Sequence, residues 1–384
     1  MKIKIITSIL SVIFWSELFS QFEFEFSGYI TSTPIYQINN IDIAKQYNLE
    51  ENQFIDLSRV RLRPTLYFGE KTRLNIDYEI SSMYYFYDLL IPLSNEKKNS
   101  RQVINLNWNI VNNKHLVINH FIDRLYFHQE FDYGELRIGR QRISWGTGRI
   151  WNPNDLFNPI NPASFYKIEK DGADVASFKL FLGDFSDLHF VFNPQERFKE
   201  SNYAVRYRTN FLEFDFSLMG GKFDSQIIGG MDFAGNLLDA GFRGEFVFSG
   251  SGDDSFTYFV KSILGIDYQF TPELYALIEY YYNGQGVTDK SSYQFNKLIT
   301  GEILNLNQNY LFEMVSYLIT PLLNISVSNN TNINDSSGYI GLIGNYSLID
   351  DLNFIFGLQL IYGSILSEYW YYPTSIYLQG EYYF

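Results

Sequence analysis

The chain has 384 residues, with 43 Asp and Glu against 29 Lys and Arg and a formal charge of −14. That balance excludes a nucleic-acid binder, which needs a basic footprint, and the lack of cysteine excludes a disulfide framework. Aromatics make up 18 % of the residues, including 31 Tyr and 35 Phe, a composition that favours strands and marks the rims of membrane barrels.

Residues 1–20 carry Lys2 and Lys4, an apolar run from Ile5 to Trp15, and Ser16 to Ser20. This is the pattern of a secretory signal peptide cut after Ser20, leaving 21–384 as the folded unit. No later stretch holds about 18 consecutive apolar residues, so spanning helices are excluded.

From Phe22 onward the chain falls into apolar/polar alternations of roughly 9 to 15 residues, the length a tilted strand needs to cross a bilayer. In order they are 22–33, 53–68, 71–87, 116–131, 134–146, 171–183, 185–193, 201–209, 211–222, 224–234, 236–249, 255–270, 273–284, 309–320, 322–329, 337–348, 351–363 and 372–384. Leu212, Phe214, Phe216 and Leu218 alternate with Glu213, Asp215 and Ser217; Leu352 to Leu360 alternate in the same way. The expected fold is all-β, a transmembrane antiparallel β-barrel of about 18 strands with 16 as the alternative, since a closed ring is the only sheet a bilayer tolerates. Short links (Gly69-Glu70, Asp132-Tyr133, Gly183-Asp184, Gly235, Thr271-Pro272, Pro321, Asp350) alternate with long ones (34–52, 88–115, 147–170, 285–308). This is the asymmetry of periplasmic turns and extracellular loops. It holds along the whole chain if Val103 to Val111 belongs to an outer loop and not to the wall.

The stretch from Gly134 to Pro162 is the most distinctive. Leu136 and Ile138 share one parity and Ile143 and Trp145 the other, which predicts a β-bulge at Gly139. With the bulge, Arg137, Arg140, Arg142 and Ser144 lie on one face. Three Asn-Pro steps (Asn152-Pro153, Asn158-Pro159, Asn161-Pro162) then predict an extended, shaped loop. Gly139-Arg140-Gln141, then Trp145-Gly146 and the Asn-Pro-x-Asp-Leu-Phe-Asn-Pro run, resemble a signature of porin-like outer-membrane barrels. These are the GRQ-x-x-x-WG porin-like proteins and, more distantly, alginate-export-type barrels. The resemblance runs from Asp123 to Pro162 and implies the outer membrane of a Gram-negative bacterium and passage of a hydrophilic solute. The end of the chain, with Ile376, Leu378, Tyr382 and Phe384 on one parity, resembles the signal read by the barrel-assembly machinery. That machinery and membrane lipid are the implied partners.

Arg59, Arg61 and Arg63 share a strand face, same-face neighbours lying about 6.6 Å apart. Arg124, Arg137, Arg140 and Arg142 follow on neighbouring strands, with Arg206 and Arg208 further round. Arginine keeps its charge, so such a ladder needs compensation. Glu23, Glu25, Asp77 and Glu79 supply it from adjacent strands, and Glu213 and Asp215 sit beside Arg206 and Arg208. Two readings stay open: salt bridges that stiffen the wall, or a basic track for anionic or oxygen-rich solutes.

The loop 147–170 carries Arg149, Trp151, Asp155, Leu156, Phe157, Phe165 and Tyr166, too many apolar anchors for a solvated loop. It is expected to enter the lumen and narrow it, or else to pack over the rim. The candidate lumen and constriction residues are therefore Arg59, Arg61, Arg63, Asp77, Glu79, Arg124, Arg137, Arg140, Arg142, Arg149 and Asp155.

Of the histidines, His115, His120, His128 and His189, the second and third share parity but would lie roughly 26 Å apart along a strand. None has the spacing of a metal site, so no catalytic residue and no cofactor is assigned. The function expected is a porin-like channel for passive diffusion of small hydrophilic solutes. The alternatives are a structural or assembly barrel with a plugged lumen and, behind it, an outer-membrane hydrolase. Substrate identity and the choice between monomer and homo-oligomer stay open.

Overall fold

Alternation gives each strand one apolar and one polar face, and strands of that kind satisfy both faces only by pairing edge to edge until the ring closes. The computed structural model describes residues 22–47, 50–87, 101–158, 169–224, 226–251, 258–295, 298 and 303–384; the segment expected to be a signal peptide lies outside them.

The described strands are β1 (Phe22–Ile38), β2 (Asn52–Phe68), β3 (Thr72–Tyr85), β4 (Asn107–Asn112), β5 (Leu116–Phe131), β6 (Gly134–Gln141) and β7 (Ala173–Phe181). β8 (Asp187–Asn193), β9 (Asn202–Phe211), β10 (Phe214–Phe223), β11 (Gln226–Leu237), β12 (Ala240–Ser251) and β13 (Tyr258–Gln269) follow. The last are β14 (Leu274–Asn283), β15 (Asn309–Thr320), β16 (Leu323–Asn332), β17 (Ser337–Ile349), β18 (Leu352–Tyr362) and β19 (Thr374–Tyr383). One short helix, α1 (Ile41–Tyr47), sits in the first long loop. Among the described residues no helix is long and apolar enough to cross a membrane.

With β4 set aside, each strand pairs antiparallel with the next and β19 returns to β1, giving a closed 18-strand transmembrane barrel. The seam runs to the last residue. Gly28 N–H donates to the Phe384 carbonyl at 2.9 Å and Phe384 N–H to that of Gly28 at 3.1 Å.

The outer face is apolar: Phe24, Phe26, Phe246, Phe248, Leu264, Ile266, Val315, Ile319, Leu360 and Leu378 are all exposed. Buried polar residues such as Glu245, Glu279, Gln359 and Gln379 alternate with them and face inward.

Several local expectations need correction. Val103 to Val111 is not wholly a loop excursion, because β4 pairs with β5 from Asn107↔Phe121 to Asn112↔Val117 and fills the wall above the point where β6 stops. The β11–β12 turn is at Leu238-Asp239, both with positive φ (50° and 66°), and Gly235 lies inside β11. The left-handed pair matches the twist of a two-residue hairpin.

No bulge occurs at Gly139: β6 pairs in unbroken register with β5 and β7. The irregularity is on β5, where Asp77 faces Arg124 but Tyr78 faces Ile122, leaving Asp123 as the extra residue. This turns Asp123 and Arg124 both inward. It also separates the two histidines: His120 bonds the outward Tyr78 hydroxyl, and His128 bonds the inward Glu135 carboxylate.

Candidate functional site

The parity change between Ile138 and Ile143 marks the place where the chain leaves the wall. β6 ends at Gln141, whose amide bonds the Val175 carbonyl and the Ser177 hydroxyl on the inner face of β7. Beyond it Ile143, Trp145 and Phe157 pack on Val175, Val191, Ala204, Met219, Phe223 and Val247, the inward apolar positions of β7 to β12. Leaving the ladder satisfies these side chains against the inside of the barrel. Gly139, at φ 126°, could not carry a Cβ, which would sit 2.2 Å from the Leu125 carbonyl oxygen.

Arg140 consequently does not continue the face of Arg137. It shares parity with the outward Ile138 and forms a salt bridge to Asp174 at 2.7 Å, donating also to the carbonyls of Ile122 (3.1 Å) and Ile104. It fastens the β4 segment to the wall, as does the Asp174 carboxylate by accepting from Val103 and Ile104 N–H.

The loop is then fixed by two wall carboxylates. Glu245 on β12 accepts N–H groups from Thr147 (2.6 Å), Gly148 (2.7 Å) and Asn154 (2.9 Å). Glu279 on β14 accepts those of Arg149 (2.8 Å), Ile150 (3.0 Å) and Trp151 (2.8 Å). Each such hydrogen bond contributes about 0.5–1.5 kcal/mol, and about 1.5–3 kcal/mol where the acceptor is charged. Trp151 completes the attachment: its ring stacks on Tyr281 at 5.3 Å and its indole N–H donates to Asn305. Gly146 (φ 91°) lets the backbone turn beside Glu245, where a Cβ would come within 2.6 Å of the carboxylate.

The sequence reading missed Glu245 and Glu279. A signal existed: their cross-strand neighbours, Asp232 and Ile263 for one and Gly265 and Phe312 for the other, include no cation. An inward carboxylate without a cation beside it must find donors elsewhere.

The returning end of the loop reaches the opposite arc. Arg61, only 2 % exposed, bridges Glu79 (3.1 Å), Asp77 (3.0 Å), Glu169 (3.4 Å) and Asp123. Arg59 pairs with Glu79 at 3.2 Å, Arg63 with Glu169 and with Asp77 at 3.7 Å, and Arg124 with Asp123 at 2.7 Å. Four arginines thus meet four carboxylates. Glu23 and Glu25 are not among them; Glu25 instead accepts from Tyr67 Oη at 2.8 Å. Arg208 pairs with Asp187, not with Glu213 or Asp215; Glu213 sits in the β9–β10 turn and Asp215 accepts from Asn210. A cleft of about 290 Å³ lies against this cluster, lined by Leu57, Arg59, Ser81, Met83, Asn119 and Glu169 among others.

The remaining candidates are dispersed. Arg137 pairs with Glu135 (2.8 Å), which also binds His128 and Lys179. Asp155 is buried against Lys170 at 2.5 Å; burial pushes its carboxyl up and Lys170 draws it part of the way back. Arg142 and Arg149 are exposed and form no ion pair among the described residues. His189 accepts the Trp145 indole N–H at 3.1 Å, and His115 lies on the Tyr85 carbonyl.

A second buried network holds the loop after β18. Glu368 accepts from Leu306 N–H (3.0 Å), Tyr310 Oη (2.5 Å) and Asn332 Nδ2 (2.8 Å). Burial pushes its carboxyl up to about 7.

No family model matches this sequence, and no curated protein matches it. Solved structures do. OccAB3 of Acinetobacter baumannii gives a TM-score of 0.58 at 8 % identity over 94 % of this chain and 99 % of that one. The outer membrane protein OprD from Pseudomonas aeruginosa gives 0.56 at 8 %, over 94 % and 93 %. OccD3 (OpdP) of Pseudomonas aeruginosa gives 0.54 at 10 %, over 94 % and 91 %. At these identities the likeness is one of fold: this chain folds as those barrels do over nearly its whole length.

Proposed function

We propose that this chain is an outer-membrane channel through which small hydrophilic solutes diffuse passively, with residues 147–158 narrowing the lumen; residues 159–168 of the loop, Phe165 and Tyr166 among them, lie outside the described residues. The observation that carries the reading is the attachment of residues 143–158 to the inside of one arc, β7 to β15, by Glu245, Glu279 and Trp151. Among the described residues the loop sends no hydrogen bond to the inner positions of β16 to β19. A ring of 18 strands is wide enough to hold water beside such a loop.

The fold likeness to an outer-membrane protein supports the location, and the GRQ-x-x-x-WG stretch at 139–146 supports a place among porin-like barrels. We read the closing strand, with Phe384 paired to Gly28, as the segment the barrel-assembly machinery engages. The reading assigns no catalytic step and no cofactor. Reconstitution in planar bilayers tests it: stepwise single-channel conductance is expected. A folded barrel that conducts nothing would leave a structural role instead.

A further inference from the structure

The inner wall is not uniform in charge. The arc β15 to β19 carries a single inward charge, Glu381, itself tied to the Gln379 amide and the Tyr383 hydroxyl. Its other inward positions are aromatic, aliphatic, or neutral hydrogen-bonding groups such as Ser316, Asn324, Ser326, Asn345 and Asn353. The register confirms that these form one continuous face: Ser316 opposes Ser326, Asn324 opposes Asn345, and Asn353 opposes Glu381.

On the adjoining arc, with only β1 between β19 and β2, the arginine cluster closes on itself. Arg59, Arg61, Arg63 and Arg124 are matched by Asp77, Glu79, Asp123 and Glu169, so the group presents no net charge to a passing solute. Exposed charges without an ion-pair partner among the described residues include Arg142 and Arg149 on the loop and Glu23 and Glu25 toward the short-turn end, so both signs are represented. Paired charges held a few ångströms apart act on a solute as dipoles, whose fields fall off faster than those of single ions. Amides and hydroxyls, which both donate and accept, replace the hydration of a polyhydroxylated solute without favouring either sign of ion.

Resting on the channel reading above, we propose that this pore is selective for uncharged, hydroxyl- or amide-bearing solutes, which pass along the β15–β19 arc, and that the arginine cluster is not an anion filter.

The test uses the full barrel reconstituted in liposomes and planar bilayers. Liposome swelling should be several-fold faster with glucose than with gluconate or glucosamine, probes of similar size carrying no charge, a negative and a positive one. The potassium-to-chloride permeability ratio should lie within about twofold of unity. Asn345→Asp, which places a carboxylate on the arc at an exposed inner position, should shift that ratio several-fold toward potassium. Ser291→Asp, in the loop after β14, should leave it unchanged. A conducting wild type that passes gluconate faster than glucose, or an Asn345→Asp variant that conducts with unaltered selectivity, overturns the inference while the channel reading stands. A folded barrel showing neither swelling nor conductance overturns both.

Discussion

Trp151 donates its backbone N–H to Glu279 at 2.8 Å and stacks its ring at 5.3 Å on Tyr281, the next inward residue of the same strand. Backbone and side chain of one loop residue are therefore fastened to two consecutive inward positions, which fixes both its place and its orientation. With Glu245 holding Thr147, Gly148 and Asn154, the segment behaves as an inner lining and not as a mobile lid.

Glu245→Gln with Glu279→Gln should loosen this lining without opening the wall. Each amide offers one acceptor where the carboxylate offered two, at a cost of roughly 1–3 kcal/mol per site. The strand ladders keep their hydrogen bonds, so the barrel should stay folded. Single-channel recording should show larger conductance and more open-channel noise. Unchanged traces would mean that the lining is held by its apolar anchors alone.

Replacing Arg61 by Gln should be costly for stability. Its carboxylate partners Asp77, Glu79, Asp123 and Glu169 would keep only Arg59, Arg63 and Arg124, and breaking such a buried network costs about 3–5 kcal/mol. Thermal unfolding in detergent should shift down, and adding Asp123→Asn should restore part of the loss. Equal stability of Arg61→Gln and wild type would show that the cluster is wet and weak.

Glu368 makes the loop after β18 sensitive to pH. Burial raises its carboxyl from an ordinary 4.5 to about 7, so the folded state keeps a proton that the unfolded state has already released. That difference favours folding least above pH 7, where both states are ionised and the burial penalty is complete. Acidifying from pH 8 to pH 5 should stabilise the protein, by at most about 3 kcal/mol from this group. Taking the difference between wild type and Glu368→Gln removes the other carboxyls from the comparison. A difference independent of pH would rule the group out.

The direction of the barrel is open to surface labelling. Cysteines placed at Ser291, in a long loop, should react with an impermeant reagent on intact cells. Those at Glu70 and Asp350, in two short turns, should react only after the outer membrane is breached. Reaction of Glu70→Cys from outside would reverse the assignment.

The strand count, the order of strands and most of their limits were legible in the sequence, because alternation is local and each wall strand answers separately to an apolar outside and a polar inside. The final pairing of β19 with β1 follows from closure itself, since a closed sheet needs its last strand to meet its first. The functional contacts were not legible. Arg61 finds Asp123 and Glu169 far along the chain, and nothing in the neighbourhood of either residue announces the meeting.

The misreading at Gly139 has a physical cause. A change of parity looks the same in sequence whether the strand bulges or leaves the wall. Only the presence of Val175, Val191 and Ala204 on the inner face, ready to receive Ile143 and Trp145, decides between them. A moved parity also misplaced Arg140, which faces Asp174 on the outer side, and an unseen bulge at Asp123 misplaced His120. Local pattern thus determined the barrel. What lies inside it, and which charges cancel, depended on side chains brought together by closure of the ring, and that is information a one-dimensional pattern does not hold.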